Sequence, residues 1–319
     1  CGSADHRTVL IASDSITGLG GNFRVVECES CEFAFTNPRP TPASIGQFYP
    51  EDYVPYQARE QAAGVRSRWR HLLEQSVLQS KFGYPVPDGK TVSSLLTGIG
   101  LRTFRRSRQR QSWVPWRAPG RLLDFGCGCN GFLEEMRGFG WQVQGLDMSQ
   151  VVADDMLERT GIKVHVGTLP HPGIEAESFD AVTMWNALEH VHQPRETIRA
   201  AGEALRPGGL LVIGVPNFSS WASEKFQQYW NGLELPRHLN HFAPHTLSNM
   251  LESEGFRMQS LDHIARVGWV RRSARRAAKA GWGSALLRAA QYKPVGIRLA
   301  DRAERQERGC FIRAVAEKV

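Results

Sequence analysis

The chain has 319 residues, 41% of them hydrophobic, and a formal net charge of +7 at pH 7. This length and composition predict one main domain with a sizeable core and some appended segments. The sequence holds no apolar run of roughly 18 residues, which excludes an ordinary membrane-spanning helix. Six scattered cysteines are too few for a disulfide scaffold and, with no visible signal peptide, favour a reducing cytoplasm.

Residues 1–50 are predicted to form a small unit of their own around cysteines. Cys28 and Cys31 have the C-x2-C spacing at which two thiolates reach one tetrahedral zinc ion. Cys1, followed by glycine, fits the second cysteine of another such pair, whose first member would lie upstream. We therefore expect Cys1, Cys28 and Cys31 to bind a structural zinc in a zinc-ribbon-like segment. The alternative is a C-x2-C pair without metal, and a catalytic zinc is not expected.

A proline-rich linker at 37–42 leads into a segment, 51–118, that is predicted to cover the main domain with helices. The spacing of apolar residues predicts one helix within 58–83 and another within 91–112. An aromatic cluster at 48–53 is expected to pack the linker down, although it also suits a substrate wall. The basic stretches of the cover have the charge needed to bind nucleic acid, anionic lipid or a phosphorylated substrate. The alternative is that they are solvent-exposed faces of helices.

The rest of the chain is organised around residues 119–149. Arg121 to Phe125 is predicted to be a buried strand, and a glycine-rich turn follows from Gly126 to Gly131. A helix begins near Phe132, and a second strand ends at the carboxylate of Asp147. Strand, glycine turn, helix, strand and acid together indicate a nucleotide-binding βαβ unit.

Two cofactors fit this unit. Gly126, Gly128 and Gly131 satisfy G-x-G-x-x-G, so an NAD-dependent oxidoreductase is one interpretation. Asp124 favours another, because its carboxylate lies where it would repel the pyrophosphate of a dinucleotide. S-adenosylmethionine (SAM) brings a sulfonium and an ammonium group to this corner, and an anion suits both.

Strands and helices alternate after this unit. Further strands are predicted at 162–166, 179–185, 210–215, 256–261 and 309–316, with helices at 151–159, 193–205 and 246–254. Successive βαβ units imply a parallel sheet with helices on both faces. The predicted fold class is therefore α/β, with a Rossmann-like doubly wound sheet in residues 119–319.

Several motifs resemble those of class I SAM-dependent methyltransferases. Asp124–Gly128 resembles their motif I, D-x-G-x-G-x-G, although Asn130 stands at the third glycine position. Phe179–Val182, followed by Leu188–His190, resembles their fourth-strand motif. Arg206–Gly209 resembles the turn before their fifth strand. The resemblance extends over roughly 119–262 and the last strand, where the motifs occur in the same order as in the family.

This resemblance implies a seven-stranded sheet with an antiparallel last strand and a SAM site at its carboxyl edge. Asp147 would bind the ribose hydroxyls and Met148 would pack on the adenine. Thr168 occupies the position at which many relatives have an acidic residue that binds the adenine amine. Trp185 would either line the part of the site that binds the methionine end of SAM or belong to the core. The implied cofactor-binding residues are Asp124, Gly126, Cys127, Gly128, Asp147, Met148, Thr168, Leu169, Trp185 and Asn186.

Three histidines are the candidate catalytic residues. A hydroxyl or an enolisable carbon reacts faster when a general base accepts its proton, and histidine is the usual base. His190 follows the predicted fourth strand, while His238 and His241 lie in a loop, 218–245, that we expect to act as a lid. The alternative is that these histidines only brace the loop. One interpretation of Glu189 is that it pairs with His190 or with the substrate. The other is that its negative charge stabilises the start of a helix.

The loop segment Pro236–Phe242 adds a second resemblance. Sugar C-methyltransferases with a cysteine ribbon carry an E-H-x-x-Y-F segment here, which places His238 on their proposed base. Arg237 replaces the glutamate, and their long C-terminal extra domain has no counterpart, so carbon methylation is less favoured than oxygen methylation. The nearer resemblance is to relatives with P-R-H-L-x-x-F that are associated with polysaccharide or natural-product gene sets.

An insert at 264–308 interleaves apolar and basic residues with helical spacing. Such a helix is more often packed against its own protein, and the alternative is that it lies on an anionic lipid surface or a lipid-linked substrate. A cytoplasmic location is expected, with peripheral contact at the inner face of the membrane left open.

The sequence therefore predicts a SAM-dependent methyltransferase that acts on a hydroxyl of a sugar, glycan unit or natural product. The alternatives are the NAD-dependent oxidoreductase and a methyltransferase that binds nucleic acid. Nucleic acid is not expected as a partner, because the aromatic residues of the ribbon are not interleaved with basic ones.

Overall fold

A computed structural model describes residues 1–15, 17–49, 68–86, 93–104, 112–129 and 131–319. Several predictions fall partly outside these residues: Asn130 of the glycine turn, the 50–53 end of the aromatic cluster, and parts of the cover at 51–67, 87–92 and 105–111. The described residues form two sheets, one of seven strands and one of four.

The elements alternate along most of the chain. The strands are β1 (His6–Ser13), β2 (Asn22–Cys28), β3 (Ala34–Thr36), β4 (Arg121–Phe125), β5 (Gln142–Asp147), β6 (Val164–Val166), β7 (Phe179–Trp185), β8 (Leu205–Pro216), β9 (Asn240–His241), β10 (Phe256–Ile264) and β11 (Phe311–Lys318). The α-helices are α1 (Arg68–Phe82), α2 (Ser94–Phe104), α3 (Phe132–Gly138), α4 (Gln150–Thr160), α5 (Pro194–Ala204), α6 (Trp221–Phe226), α7 (Pro244–Ser253), α8 (Val267–Lys279), α9 (Ala285–Ala289) and α10 (Lys293–Arg305). Short 3-10 helices lie at Ile45–Phe48, Leu188–His190 and Gln227–Tyr229.

The larger sheet confirms the predicted α/β, doubly wound fold. Its strand order is β10-β11-β8-β7-β4-β5-β6. All neighbours pair in parallel except β11, which runs antiparallel to both β8 and β10, as expected for the last strand. The strand order reverses beside β4, and the carboxyl ends of β4 and β7 open the crevice in which such sheets bind ligands.

Central strands are apolar on both faces because helices cover both sides of the sheet. Leu122 and Leu123 of β4 point to opposite faces, and both are fully buried. Leu122 joins a cluster that includes Leu73 and Val77 of α1, so the first cover helix packs on that face. The predicted cover helices therefore correspond to α1 and α2 within the described residues.

The fifth strand of the Rossmann-like unit differs from its prediction. β8 begins at Leu205, which pairs with Phe179, rather than at Leu210 after a separate tight turn. Gly208 adopts a φ of +74°, and the register shifts there, so the predicted turn is an irregularity inside the strand. Arg206 fixes it by donating to Asp180 across 2.9 Å.

The smaller sheet joins the N-terminal segment to the predicted lid. Its order is β1-β2-β3-β9, and β9 comes from residues 240–241 of the lid loop. Ala34 pairs with His241 and Phe35 with Asn240. The predicted boundary after residue 50 remains a prediction, and this sheet extends across it.

The insert at 264–308 folds as α8, α9 and α10. The apolar side of α8 is buried through Val270, Ala274 and Ala277 against other parts of the same chain, including Ala300 of α10. That side of the predicted basic helix is therefore occupied by the protein, and only its basic side, with Arg275 and Lys279, is exposed. None of the helices in the described ranges combines the length and apolar character needed to cross a membrane.

Candidate active site

The glycine turn connects β4 to α3 and is bound to the end of β5. Gly126 donates its N–H to the carbonyl of Leu146 across 2.7 Å, and Gly128 donates to Asp147 Oδ2 across 2.9 Å. Gly126 has a φ of +70°, and a Cβ there would lie 2.6 Å from that of Ala187. Glycine is required at this position by both backbone conformation and space.

Asp124 lies at the base of this turn with one unpartnered oxygen. Thr183 on the neighbouring β7 donates its hydroxyl to Asp124 Oδ1 across 2.6 Å, whereas Oδ2 receives no hydrogen bond from any described group. Burial raises the pKa of Asp124 to about 8, since water is excluded and only the Thr183 bond favours the charged form. An unpaired buried carboxylate at this position fits the cationic groups of SAM and repels a pyrophosphate.

Asp147 ends β5 and is held by two backbone amides. Oδ2 accepts from Gly128 N, and Oδ1 accepts from Ser149 N across 3.0 Å. Burial raises the pKa of Asp147, and these hydrogen bonds oppose the shift. Ser149 also caps α4 by accepting from Val152 N. The carboxylate is therefore fixed in orientation at the crevice, as ribose recognition requires.

The predicted residues around the adenine differ in exposure. Met148 is 73% exposed beside Asp147, so its side chain is free to cover a ring. Thr168 is exposed after β6, whereas Leu169 is buried in the core near Phe125. Leu169 can therefore offer a ligand only its backbone.

The remaining predicted cofactor residues lie in the turn and at the end of β7. Cys127 is buried, and its sulfur occupies the space beside Gly145, so its backbone and not its thiol faces the turn. Burial raises the pKa of the Cys127 thiol well above its usual value. Trp185 packs edge-on against Phe132, with ring centroids 5.7 Å apart, and its buried Nε1 has no partner among the described groups. Asn186, with a φ of +52°, turns the chain out of β7.

The lid loop is attached to the N-terminal segment by a buried ion pair. Arg237 donates to both oxygens of Asp14, across 2.7 and 2.9 Å, and neither side chain is exposed to solvent. Arg237 also donates to the carbonyl of Phe48 across 2.8 Å. Thr36 donates its hydroxyl to the carbonyl of His238 across 2.8 Å. These contacts fix the loop residues that carry the candidate histidines.

Two of the three candidate histidines meet beside Glu189. The rings of His190 and His238 pack at right angles with centroids 4.6 Å apart. His190 Nδ1 lies 3.1 Å from the carbonyl of Arg237 and 3.1 Å from the hydroxyl of Tyr49, while His238 Nδ1 lies 3.0 Å from the carbonyl of Gly232. Burial lowers the pKa of both rings to about 3, so both are neutral at neutral pH.

His241 lies apart from this pair. It belongs to β9, packs against Phe218 with ring centroids 5.2 Å apart, and lies 3.1 Å through Nε2 from the hydroxyl of Thr36. Burial lowers its pKa to about 3. The structure thus places this predicted catalytic histidine in the small sheet, where it braces the loop.

Two residues at this site, Asp14 and Thr36, were not assigned to it from the sequence. Both lie far from the lid in sequence and contact it only after folding, and no local pattern around them indicates such contacts. Glu189 was one of the residues considered as a partner of His190 or of the substrate. Tyr49, which contacts His190, belongs to the aromatic cluster for which a place in a substrate wall was the alternative.

The three predicted metal-binding cysteines also come together. Their sulfur atoms all lie within 4.8 Å of one another, and those of Cys1 and Cys28 are 3.5 Å apart. Four sulfurs around a tetrahedral zinc with Zn–S bonds of about 2.3 Å are about 3.8 Å apart, so the spacing fits the ion. Backbone hydrogen bonds from Cys31 and Ser30 lower the pKa of the Cys28 thiol, which favours the thiolate.

Comparison with known proteins agrees with this geometry. A family model described as a methyltransferase domain matches residues 101–261. The ubiquinone biosynthesis O-methyltransferase of Xanthomonas axonopodis pv. citri is 30% identical over 169 residues, which cover 49% of this chain and 70% of that protein. Its counterpart in Burkholderia vietnamiensis is 36% identical over 103 residues, which cover 30% of this chain and 44% of that protein. The chain thus spans less than half the length of the Burkholderia relative and 70% of that of the Xanthomonas relative.

Solved structures match the chain at lower sequence identity. A SAM-dependent methyltransferase of Thermotoga maritima, described as a possible histamine N-methyltransferase, is 16% identical, with a TM-score of 0.47 over 70% of this chain and 94% of that one. A SAM-dependent methyltransferase of Archaeoglobus fulgidus is 18% identical, with a TM-score of 0.46 over 69% and 99% of the two chains.

The family model covers half of the chain and includes both the glycine turn and the β7 motif. The NAD-dependent oxidoreductase, which the glycine pattern alone allowed, is thereby set aside. The chain belongs to the class I SAM-dependent methyltransferases.

Proposed function

We propose that this protein transfers the methyl group of SAM to an oxygen atom of a small-molecule acceptor bound under the lid. The observation that carries the proposal is the unpartnered buried oxygen of Asp124 beside the glycine turn. On losing its proton it would provide negative charge where a sulfonium and an ammonium group bind, and Asp147 would bind the ribose.

Bound SAM supplies an already activated methyl group, so the protein has to align the acceptor rather than activate the donor. The turn after β7 carries Glu189 and His190, and the lid adds His238. Glu189 and His190 follow Trp185 and Asn186 closely in the chain, and we expect this turn to lie near the methionine end of the cofactor. Lone pairs of these groups would orient the acceptor hydroxyl and favour loss of its proton.

Oxygen is favoured over carbon as the methyl acceptor. The curated relatives are named ubiquinone biosynthesis O-methyltransferases. Arg237, which replaces the glutamate of the sugar C-methyltransferase segment, is buried and paired with Asp14. The proposed acceptor is a hydroxyl of a natural product, sugar or glycan unit.

The test is transfer of a labelled methyl group from SAM to hydroxylated aromatic compounds and to nucleotide sugars. We expect a labelled product whose methyl carbon has the NMR shift of a methoxy group, and loss of product in Asp124→Asn. A carbon-bound methyl group would contradict oxygen transfer. Failure of the wild-type chain to bind SAM would contradict the proposal as a whole.

A structural zinc on Cys1, Cys28 and Cys31 is proposed for the N-terminal segment. The spacing of the sulfurs and the lowered pKa of Cys28 support it. Metal analysis of the purified protein should find zinc that is lost in Cys28→Ser with Cys31→Ser. Equal zinc content in that variant would contradict the assignment.

Peripheral contact with anionic lipid remains a prediction for the exposed basic side of α8. Flotation with vesicles that contain anionic lipid should be reduced in Arg275→Gln with Lys279→Gln. Unchanged flotation of that variant would contradict a role for this helix.

A further inference from the structure

Glu189, His190 and His238 form a compact group of possible ligands. One ligand atom of each lies within 4.8 Å of the corresponding atoms of the other two. Glu189 and His190 lie in the 3-10 helix after β7, whereas His238 comes from the lid. The lid is held against this helix because Leu239 donates its N–H to the carbonyl of Glu189 across 2.8 Å.

The protons of both imidazole rings can be assigned from their partners. A carbonyl oxygen only accepts hydrogen bonds, so His190 Nδ1–H donates to Arg237 O and His238 Nδ1–H donates to Gly232 O. In each neutral ring Nε2 is then unprotonated and carries a lone pair, and Nε2 of His238 also lies 3.8 Å from Glu234 Oε2. Metal-binding histidines usually donate their other N–H to a backbone carbonyl in this way.

The carboxylate of Glu189 is buried and lacks a hydrogen-bond donor from any other described residue. Glu189 is 1% exposed, and only its own backbone N–H and the charge of Arg266 oppose the effect of burial on its carboxyl group. Three ligand atoms with lone pairs thus converge in a buried space, and none of the other described residues donates a hydrogen bond to the carboxylate among them. Such an arrangement is unfavourable unless a proton or a cation occupies it.

We propose that Glu189, His190 and His238 bind a divalent transition-metal ion that also binds the acceptor oxygen. Two histidines and one carboxylate are the ligand set of several open metal sites, in which the remaining positions are available to a substrate. This inference rests on the proposed function, because it assigns the ion's open positions to the acceptor. The class of acceptor is thereby narrowed to one with a metal-binding hydroxyl, such as an enol, a phenol or a vicinal diol.

The ion would act as a Lewis acid on the acceptor. Its charge lowers the pKa of the bound hydroxyl, whose proton passes to solvent. The resulting oxyanion attacks the methyl group, an O–CH3 bond forms, and the S–CH3 bond breaks with its electron pair returning to sulfur. The ion thereby replaces the general base that the sequence assigned to these histidines.

In the rival arrangement, a proton rather than a metal ion lies between Glu189 and the two histidines. Burial raises the pKa of Glu189 to about 8, so a neutral carboxyl group could donate to one of the Nε2 atoms. His238 would then be the general base. The two arrangements differ in whether the site takes up metal.

Titration with Co2+, followed by its visible absorption, distinguishes them. The wild-type chain should bind one Co2+ without sulfur-to-cobalt charge-transfer bands, in addition to any ion on the cysteines. Glu189→Gln keeps the shape of the side chain and should weaken Co2+ binding by more than about 100-fold. Loss of a residue that only hydrogen-bonds to a metal ligand already lowers metal affinity by up to about 100-fold, and loss of a ligand itself should lower it further. Glu196→Gln, an exposed site on α5, is the matched control.

His238→Gln provides a second variant and should lose the same absorption, with thermal unfolding used to confirm that both variants are folded. Equal Co2+ binding by wild type, Glu189→Gln and His238→Gln would overturn the site. Full methyl transfer by metal-free protein would overturn it as well. If the Co2+ site is present but no acceptor is methylated, the site is supported and the proposed function fails.

Discussion

The two halves of the candidate active site differ in how far their contacts reach along the chain. In the cofactor half, the bond from Gly128 to Asp147 spans 19 residues. In the acceptor half, the Tyr49–His190 contact spans 141 residues, the Thr36–His238 bond 202 and the Asp14–Arg237 pair 223. The cofactor half is a local supersecondary unit, whereas the acceptor half is assembled by buried polar contacts between distant segments. Damage to the first should therefore affect ligand binding, and damage to the second should affect folding.

The largest expected effect follows from breaking the buried ion pair. Asp14→Ala should lower the free energy of unfolding by about 3–5 kcal/mol, because it leaves Arg237 buried without its counter-charge. Chemical denaturation measures the change. Replacing both partners, Asp14→Leu with Arg237→Met, should recover most of the loss.

The matched control is the exposed pair of Arg7 and Glu27 in the same segment. Glu27→Gln should leave the free energy of unfolding essentially unchanged. If Asp14→Ala proved as harmless as this control, the lid would not depend on the ion pair.

A second prediction concerns ribose binding by Asp147. Asp147→Ala should weaken SAM binding about 100-fold, because hydrogen bonds to a charged group contribute about 1.5–3 kcal/mol each. Calorimetric titration measures this affinity, and stability should change less than in Asp14→Ala. Asp154→Ala, an exposed position on α4, serves as the control. Similar affinity in both variants would remove Asp147 from the cofactor site.

A third prediction is that SAM binding releases a proton from Asp124. The free carboxyl group has a pKa of about 8 and is protonated below that pH, whereas the cation of SAM favours its ionised form. Affinity should therefore rise up to about tenfold per pH unit as the pH increases toward 8. Calorimetry in buffers with different ionisation enthalpies detects the proton. Release of the same number of protons by Asp124→Asn would show that another group is responsible.

The same shift has a consequence for the free protein. Because the folded-state pKa of Asp124 is raised above its ordinary value of 3.8, its contribution to stability is present at low pH and is lost as the pH rises through about 8. The three buried histidines act in the opposite direction, since their lowered pKa values of about 3 make folding less favourable as the pH falls below 6.5.

The smallest effect is expected at the hydroxyl that joins the small sheet to the lid. Thr36→Val keeps the shape of the side chain and removes the bonds to the His238 carbonyl and to His241, which should cost about 1 kcal/mol of stability. Thermal unfolding is the measurement, with Thr8→Val on the exposed side of β1 as the control. Equal stability of the two variants would show that β3–β9 pairing alone holds the lid.

Much of the cofactor half could be predicted from the sequence. Asp124, the glycines and Asp147 occur in a fixed order within one βαβ unit, so spacing alone brings them to the same edge of the sheet. Leu169 and Cys127 were harder to place, because the sequence does not show that their side chains turn into the core. The start of β8 was also missed, since the residues of its irregular first turn have the composition of a loop.

The acceptor half was predictable only in part. The resemblance at Leu188–His190 and at the lid identified His190 and His238, which the structure brings together. It did not indicate that His241 would pair with β3, because β9 has only two residues and its partner lies about two hundred residues earlier. Asp14 directly follows β1, and no local pattern marks it as the partner of Arg237.

The most direct test of the account is a crystal structure of the protein with S-adenosylhomocysteine. We predict that the ribose hydroxyls bind Asp147 and that the sulfur faces the space bounded by Glu189, His190 and His238. A product bound away from Asp147, or with its sulfur turned from that cluster, would contradict the claim that the two halves form one active site.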